Sequence, residues 1–419
     1  MNHRRLLQST VLAMLAWSAP PAMADTMPPL DTIPFVEIES PAGPASQAPG
    51  LVSGKDAIYL TWIESPAGGV PVLKMSRHDA AGWSASRTIV SDPKMMVNWA
   101  DVPKLLALDD GTLIVSWLRR SGDAAGAYDV EVLRSSDKGA TWTSLGRPYR
   151  DKAQAEHGFV SLLPHAGTGF WIVWLDGRNY AKLKPAPASG GHGHGADTEL
   201  RAARWRDGKF EPEVRLDTRV CDCCQTAAVT TLEGLAVAYR DRDAGETRDI
   251  SLVRYERQVW SKPFQVRHDG WKIDGCPVNG PAMASHDRNL AMAWYTDARE
   301  TSEVFVALSD SSSFGLSRIV KVDDGRPLGR VDVDWLRDES AMVTWLEQTS
   351  DSTAQVRVRQ VTMTGEASPA KTLATTTSGR GSGFPQLAVR DIDIWVAWTD
   401  ASAGSHQVRL GKLDLESTK

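Results

Sequence analysis

The sequence predicts an all-β fold: a single β-propeller of seven four-stranded blades, with six as the alternative count, closed by a strand near the N-terminus. Three observations carry this. A short alternating apolar run ending in an aromatic recurs seven times, in Ala57–Trp62, Leu113–Trp117, Phe170–Trp174, Leu235–Tyr239, Leu290–Trp294, Ala341–Trp345 and Ile394–Trp398. The closing aromatics lie 55, 57, 65, 55, 51 and 53 residues apart, a repeat length that suits propeller blades. No segment beyond residue 24 sustains a helical period, whereas period-two runs bounded by Gly, Asp and Pro read as strands.

The chain is read in order as a leader followed by one domain. Arg4 and Arg5, an apolar stretch from Leu6 to Ala19 and the small-x-small triplet Ala22-Met-Ala24 make Met1–Ala24 an export signal. Arg4-Arg5 leaves both the general and the twin-arginine export routes open. Residues 25–419 then form the propeller. With the leader removed, 45 basic residues face 52 acidic ones, a net charge of -7. That balance and the absence of basic runs argue against a nucleic-acid partner. No later run approaches ~18 uninterrupted apolar residues, so no membrane span is expected. A soluble periplasmic or secreted protein is the expectation.

Within each unit, an apolar inner strand precedes the aromatic-ended one. A third strand follows, such as Val130–Arg134, and a fourth, such as Arg87–Val90. The seventh unit stops near Leu415, short of its outer strand, while Ile33–Ile38 is a strand with no unit of its own. It is expected to complete the last blade, removing the open edges of the ring. The aromatics are expected to pack between blades.

One turn is specific. Ser135-Ser-Asp-Lys-Gly-Ala-Thr-Trp142 fits S-x-D-x-G-x-T-W. Asp137 can accept turn amides, Gly139 can take positive φ and Trp142 can anchor the hairpin. Degenerate copies stand at Ser76–Trp83 and Ser309–Phe314. On this turn and the blade repeat, the chain resembles the sialidase-like (BNR-repeat, Asp-box) propeller superfamily over nearly all of residues 25–419. In that family the box is a folding element on the face opposite the active site. The resemblance implies a central pocket and, if the chain is an enzyme, a glycosidase of sialidase type. Thr32-Ile-Pro-Phe35 stands where sialidases carry Arg-Ile-Pro, and the seven units exceed their six. Efficient cleavage of sialosides is therefore not expected.

Propeller topology sends the loops between blades, and those joining second to third strands, to the top face. The unusual residues fall there. Cys221, Cys223 and Cys224 precede the inner strand of the fourth unit, and Cys276 that of the fifth. These are the only cysteines of the chain. An even number in an exported protein points to disulfides, but Cys221-x-Cys-Cys224 is too compact for simple stapling, and an adjacent-residue disulfide is strained. Soft thiolates also suit copper, as Cu(I), or zinc, with His157 or the His192/His194 loop adding nitrogen. Redox toggling is the third reading. His157 is otherwise a satisfied polar residue, and the His192/His194 loop a Gly-, Ala- and Pro-rich insertion.

Asp176/Arg178 and Asp297/Arg299 share one spacing at equivalent loops, with Asp241/Arg242 a near copy. They read as structural ion pairs, or as Arg178, Arg242 and Arg299 converging on a small anionic ligand such as a sugar carboxylate. Asn98, Trp99 and Asp101, and further round Arg330, Asp332 and Arg380, would line the same funnel. Three functions follow: a propeller whose Cys/His cluster binds metal or does redox work, with a periplasmic protein as the partner alternative to a small ligand; a glycoside hydrolase with Asp176 or Asp297 as acid/base; or a disulfide-clamped interaction scaffold.

Overall fold

The computed structural model describes residues 28–124, 126–183, 196–309, 315–316, 318–402 and 404–415. Residues 1–24, where an export signal is expected, His192, His194 and most of Ser309–Phe314 lie outside the described residues. Seven antiparallel sheets follow one another around a ring. The inner strands of blades 1 to 7 are Ser46–Ser53, Lys104–Ala107, His157–Pro164, Ala227–Thr231, Ala282–His286, Pro327–Trp335 and Gln386–Arg390. In blades 1, 3 and 4 the outer edge is broken into two short pieces, such as Gly82–Trp83 and Arg87–Ser91.

The ring closes as the sequence indicates. Phe35–Ile38 lies against Gln407–Leu413, with Phe35 opposite Leu413 and Ile38 opposite Leu410. The strand is shorter than Ile33–Ile38 because Leu30–Thr32 forms a 3-10 turn. Leu30 and Ile33, each 1% exposed, instead plug the seam between blades 6 and 7.

All seven closing aromatics are buried. Three carry a matched acceptor two residues on: Trp62 Nε1 donates to Glu64, Trp174 Nε1 to Asp176 and Trp345 Nε1 to Glu347, at 2.8, 2.8 and 2.6 Å. An alternating strand puts residues two apart on one face, so the indole and its acceptor rise together from the sheet. Asp176 thus has a blade-building task in addition to any other.

At the Asp137 turn, the carboxylate accepts from Ser135 Oγ at 2.7 Å and from Thr141 N at 2.9 Å, and Gly139 sits at φ +84. This hairpin joins third and fourth strands, so it lies on the bottom face, opposite the loops between blades.

The inner strands bulge where they leave the top face. Register shifts occur at Gln47/Gly50, Gly158/Ser161 and Gly329/Asp332. Ala48, Phe159 and Arg330 adopt left-handed backbone there, as does Val278 ahead of the fifth inner strand, at φ 57, 52, 56 and 50. Such positions cost a non-glycine residue on the order of 1–2 kcal/mol. They recur at one ring of the fold, where each bulge re-aims the chain across the mouth of the channel.

The inner strands enclose a channel of about 410 Å³. Asp332 and Asp334 line it and reach across the seam, accepting Leu387 N and Val389 N of blade 7, each at 2.8 Å. Asp101 does the same at the seam between blades 2 and 3, accepting Phe159 N at 2.7 Å. Burial outweighs these bonds and raises the carboxyls to about 6 for Asp332 and about 7 for Asp334 and Asp101. Folded values above the ordinary ~3.9 mean that the fold takes up protons. Their contribution is complete below about pH 4 and is lost as pH rises through 6 to 7. The melting temperature is expected to fall between about pH 4 and 7, and Asp334→Asn to flatten that fall. A melting temperature that rises across the window, or an unchanged slope in the variant, would contradict this.

Candidate functional site: a four-cysteine cluster at the mouth of the ring

The cysteine site is built by two neighbouring loops. The outer strand of blade 3, Val214–Val220, runs directly into Cys221, whose N–H donates to Arg240 O at the end of the second strand of blade 4. The chain then turns through Asp222–Cys224. Gln225 ties this turn sideways: Nε2 donates to Ala100 O of the loop entering blade 2, and Oε1 accepts Gly280 N of the loop entering blade 5, both at 3.0 Å. Gly280 is required for that approach, since a Cβ there would fall on the backbone of Gln225. Asn279 continues the chain of loops, accepting Arg330 N at 2.8 Å and donating to Leu328 O at 3.2 Å.

These ties bring all four sulfurs together. Cys223 and Cys276 form a disulfide, with Cα atoms 6.1 Å apart, inside the normal bridging range. Cys221 and Cys224 are free, with their sulfurs 2.6 Å apart, and Cys221 Sγ lies 4.0 Å from Cys223 Sγ. The sulfurs of Cys221, Cys223 and Cys224 all lie within 4.8 Å of one another. Cys221 and Cys224 are 0% and 1% exposed and Cys223 is 5% exposed, whereas Cys276 is half-buried. Ala100, Phe159 and Phe384 share their apolar cluster, and Trp99, Cys276 and Val278 pack against it. Five of the seven blades therefore contribute to this patch.

The charges around the sulfurs favour thiolate. Arg248 Nη1 donates to Cys221 Sγ at 3.5 Å and Nη2 to Glu246 at 3.0 Å. Arg240, 1% exposed, spends its donors on the carbonyls of Asn279, Arg248 and Tyr295 and lies 4.7 Å over the Trp271 ring. Arg242 bonds Glu246 and faces Asp222 at 3.5 Å. Arg240, Arg242 and Arg248 thus gather beside the cluster, with Arg248 in contact with Cys221 Sγ, and a buried cation is costly unless an anion answers it. Burial raises the Cys221 thiol. The hydrogen bond from Cys224, the Arg248 charge, the Cys223 amide and Arg240 outweigh that and hold it below the usual thiol range. Burial and the bond it gives Cys221 push Cys224 up.

His157 is elsewhere. It is fully buried between blades 2 and 3, stacked 4.3 Å from Tyr149, with Asp129, Asp151 and Asp176 at 3.5, 3.5 and 3.6 Å. Burial lowers its pKa, but the three carboxylates more than reverse that. Arg178 already occupies the centre of this group, bonding Asp176 at 2.6 Å, Asp151 at 3.0 Å and Glu213 at 3.0 Å. The arrangement is an ion-pair network, and the structure does not bring His157 to the sulfurs.

The arginines do not converge either. Arg178 is held in blade 3 and Arg242 in blade 4, each by its own carboxylates. Arg299 is 63% exposed with Glu303 at 3.6 Å. Asp297 is exposed and accepts Ser302 Oγ at 2.9 Å, while Asp176 is 0% exposed. The two stand in different blades. Asp101 is 2% exposed and bonded across a seam, and Asn98 accepts Ala100 N at 2.9 Å, which shapes the turn holding Trp99. Arg330 lies 4.9 Å and Arg380 5.8 Å over the Trp99 ring, so this pair does meet at the mouth. Sequence reasoning passed over Arg240 and Arg248. The available signal was a basic residue closing a wholly apolar strand, Leu235–Tyr239, where solvent was an equally ready explanation.

No family model matches the sequence, and no curated protein matches it. Among solved structures, an ulvan lyase bound to -[GlcA(1-4)Rha3S]- is similar over 91% of this chain and 96% of its own, with a TM-score of 0.54 and 10% identity. A Dyadobacter fermentans protein of unknown function is similar over 88% of this chain and 94% of its own, with a TM-score of 0.52 and 13% identity. A Hadza microbial sialidase is similar over 83% of this chain and 74% of its own, with a TM-score of 0.47 and 13% identity. The fold is thus one that sugar-processing propellers also use, and at these identities the likeness is one of fold alone. Among the described residues no helix is long and apolar enough to cross a membrane.

Proposed function

We propose that this chain is an exported propeller whose axial mouth binds a thiophilic metal ion, copper as Cu(I) or zinc, through Cys221, Cys223, Cys224 and Cys276 once the cluster is reduced. The observation that carries the reading is the convergence of every cysteine of the chain at the mouth of the ring, with Arg248 beside Cys221. Sulfur donors select Cu(I) and zinc over harder ions. The ring supplies a rigid frame, since Gln225 and Asn279 fix the two loops to their neighbours. His157 is not a ligand in this reading, because its neighbours are carboxylates and Arg178. Periplasmic location follows from the leader, and the natural partner is a periplasmic protein that delivers or removes the ion.

The test uses full-length, chelator-treated protein reduced under anaerobic conditions. Titration with Cu(I) against a chromophoric competitor, and separately with Zn(II), should show one ion per chain, with proton release and weaker binding at low pH. Cys221→Ser and Cys223→Ser should each lower affinity by more than the ~10–100-fold that loss of an outer-shell partner costs. Their circular dichroism should stay that of a folded ring. A reduced protein that retains four titratable thiols and takes up neither ion would end the metal reading.

A further inference from the structure

The cysteines are not equivalent, and their differences are geometric. Cys223 and Cys224 are adjacent, so a bond between them would be strained. Cys221 Sγ has the free Cys224 Sγ at 2.6 Å on one side and the bridged Cys223 Sγ at 4.0 Å on the other. It is the hub of the group. A gradient of exposure runs through the same four atoms, from buried Cys221 and Cys224 through Cys223 to half-buried Cys276. A free pair inside and a disulfide outside share this hub.

We infer that the four cysteines form an internal disulfide relay, in which Cys221 attacks Cys223 and moves the bridge inward from Cys223–Cys276 to Cys221–Cys224. In the first step the Cys221 thiolate forms a bond to Cys223 Sγ, the Cys223–Cys276 bond breaks, and Cys276 leaves as thiolate. In the second, Cys224 gives up its proton to a released thiolate and attacks Cys221 Sγ. The Cys221–Cys223 bond breaks and Cys223 leaves. Two electrons have then passed from the buried dithiol to the outer disulfide, with no external oxidant or reductant. Arg248, 3.5 Å from Cys221, stands beside the attacking sulfur. Exchange through a mixed disulfide of this kind needs the attacking sulfur within reach of the bridged one, and Cys221 Sγ lies 4.0 Å from Cys223 Sγ. Cys276 becomes the outlet: as a thiol it can attack a disulfide of another protein, and while bridged to Cys223 it can be attacked by a thiolate of another protein's dithiol. The relay occupies the same cysteines as the metal site but needs no metal.

Chelator-treated Cys224→Ser protein tests it without interference from binding. After reduction, reoxidation and removal of reagent, this variant holds one disulfide and one thiol. It is treated with a bulky hydrophilic maleimide under native conditions, then digested and mapped. The relay expects the label on Cys276, with a Cys221–Cys223 bridge accumulating. In Cys221→Ser the hub is gone, and labelling of Cys276 should fall by about tenfold or more. Label found only after denaturation, on Cys221 and never on Cys276, overturns the relay. If Cys224→Ser does not fold, wild-type protein brought to two thiols per chain and mapped after denaturing alkylation decides. Cys276 among the labelled residues supports the relay, and label confined to Cys221 and Cys224 overturns it.

Discussion

Arg240→Met is expected to lower the stability of the ring by roughly 3–5 kcal/mol, as several buried carbonyls lose their donors at ~1–3 kcal/mol each. The side chain is 1% exposed, and its three bonds end on Asn279, Arg248 and Tyr295. Those carbonyls belong to the loop carrying Cys276, to the loop carrying the cation beside Cys221, and to the second strand of blade 5. One guanidinium therefore holds both halves of the cysteine site and a seam between blades. Methionine matches part of the volume but supplies neither charge nor donors. Arg240→Lys keeps the charge and loses the fork, so it should recover thiol reactivity more than stability. Urea unfolding gives the first quantity and the rate of alkylation of the reduced protein the second. Unfolding of Arg240→Met at the wild-type midpoint would show that the three carbonyls find other partners.

Removal of residues 28–39 should have the larger effect on the fold. Leu30 and Ile33 lie at 1% exposure, and Phe35 packs against Trp398 with centroids 6.1 Å apart. Each fully buried aliphatic is worth about 1.5–3 kcal/mol. The deletion also strips the partner from Gln407–Leu413, leaving an open strand edge. A loss of ~5 kcal/mol or more reaches the lower end of a domain's whole stability. The truncated chain is expected to aggregate or to pair edge to edge. A synthetic peptide of residues 28–39, added during refolding, should restore a soluble monomer in sedimentation. A truncated chain that stays monomeric with an unchanged melting temperature would show that closure contributes little.

What could be read from the sequence was whatever repeats. Seven aromatic-ended strands at near-constant spacing impose seven blades, because each apolar face has to be covered by the next. Strand order then assigns Cys221 and Cys276 to consecutive loops on one face. What could not be read was where a long side chain turns once it gets there. Asp176/Arg178 and Asp297/Arg299 have the same spacing, yet the first pair is buried and the second exposed. The difference is made by Asp151 and Glu213, which hold Arg178 inward from two separate loops. His157 was likewise a candidate ligand by position alone. Its partners Asp129, Asp151 and Asp176 come from three separate stretches whose meeting only the fold decides. Arg240 follows a wholly apolar run, and nothing in the spacing of residues says that three carbonyls await it.

The bridge between Cys223 and Cys276 also bears on how the molecule is held together. It joins loops 53 residues apart in sequence, one entering blade 4 and the other blade 5. Closing a loop of that length takes freedom from the unfolded chain worth about 4 kcal/mol. The ring is then fastened twice, by hydrogen-bonded strands where its two ends meet and by a covalent weld partway round. Reduction would cut the weld and leave the bonds between Gln225 and Gly280 and from Arg240 to Asn279 O to hold that seam. Resistance to heat and to proteases would then serve as a gauge of the electron balance of the surrounding compartment.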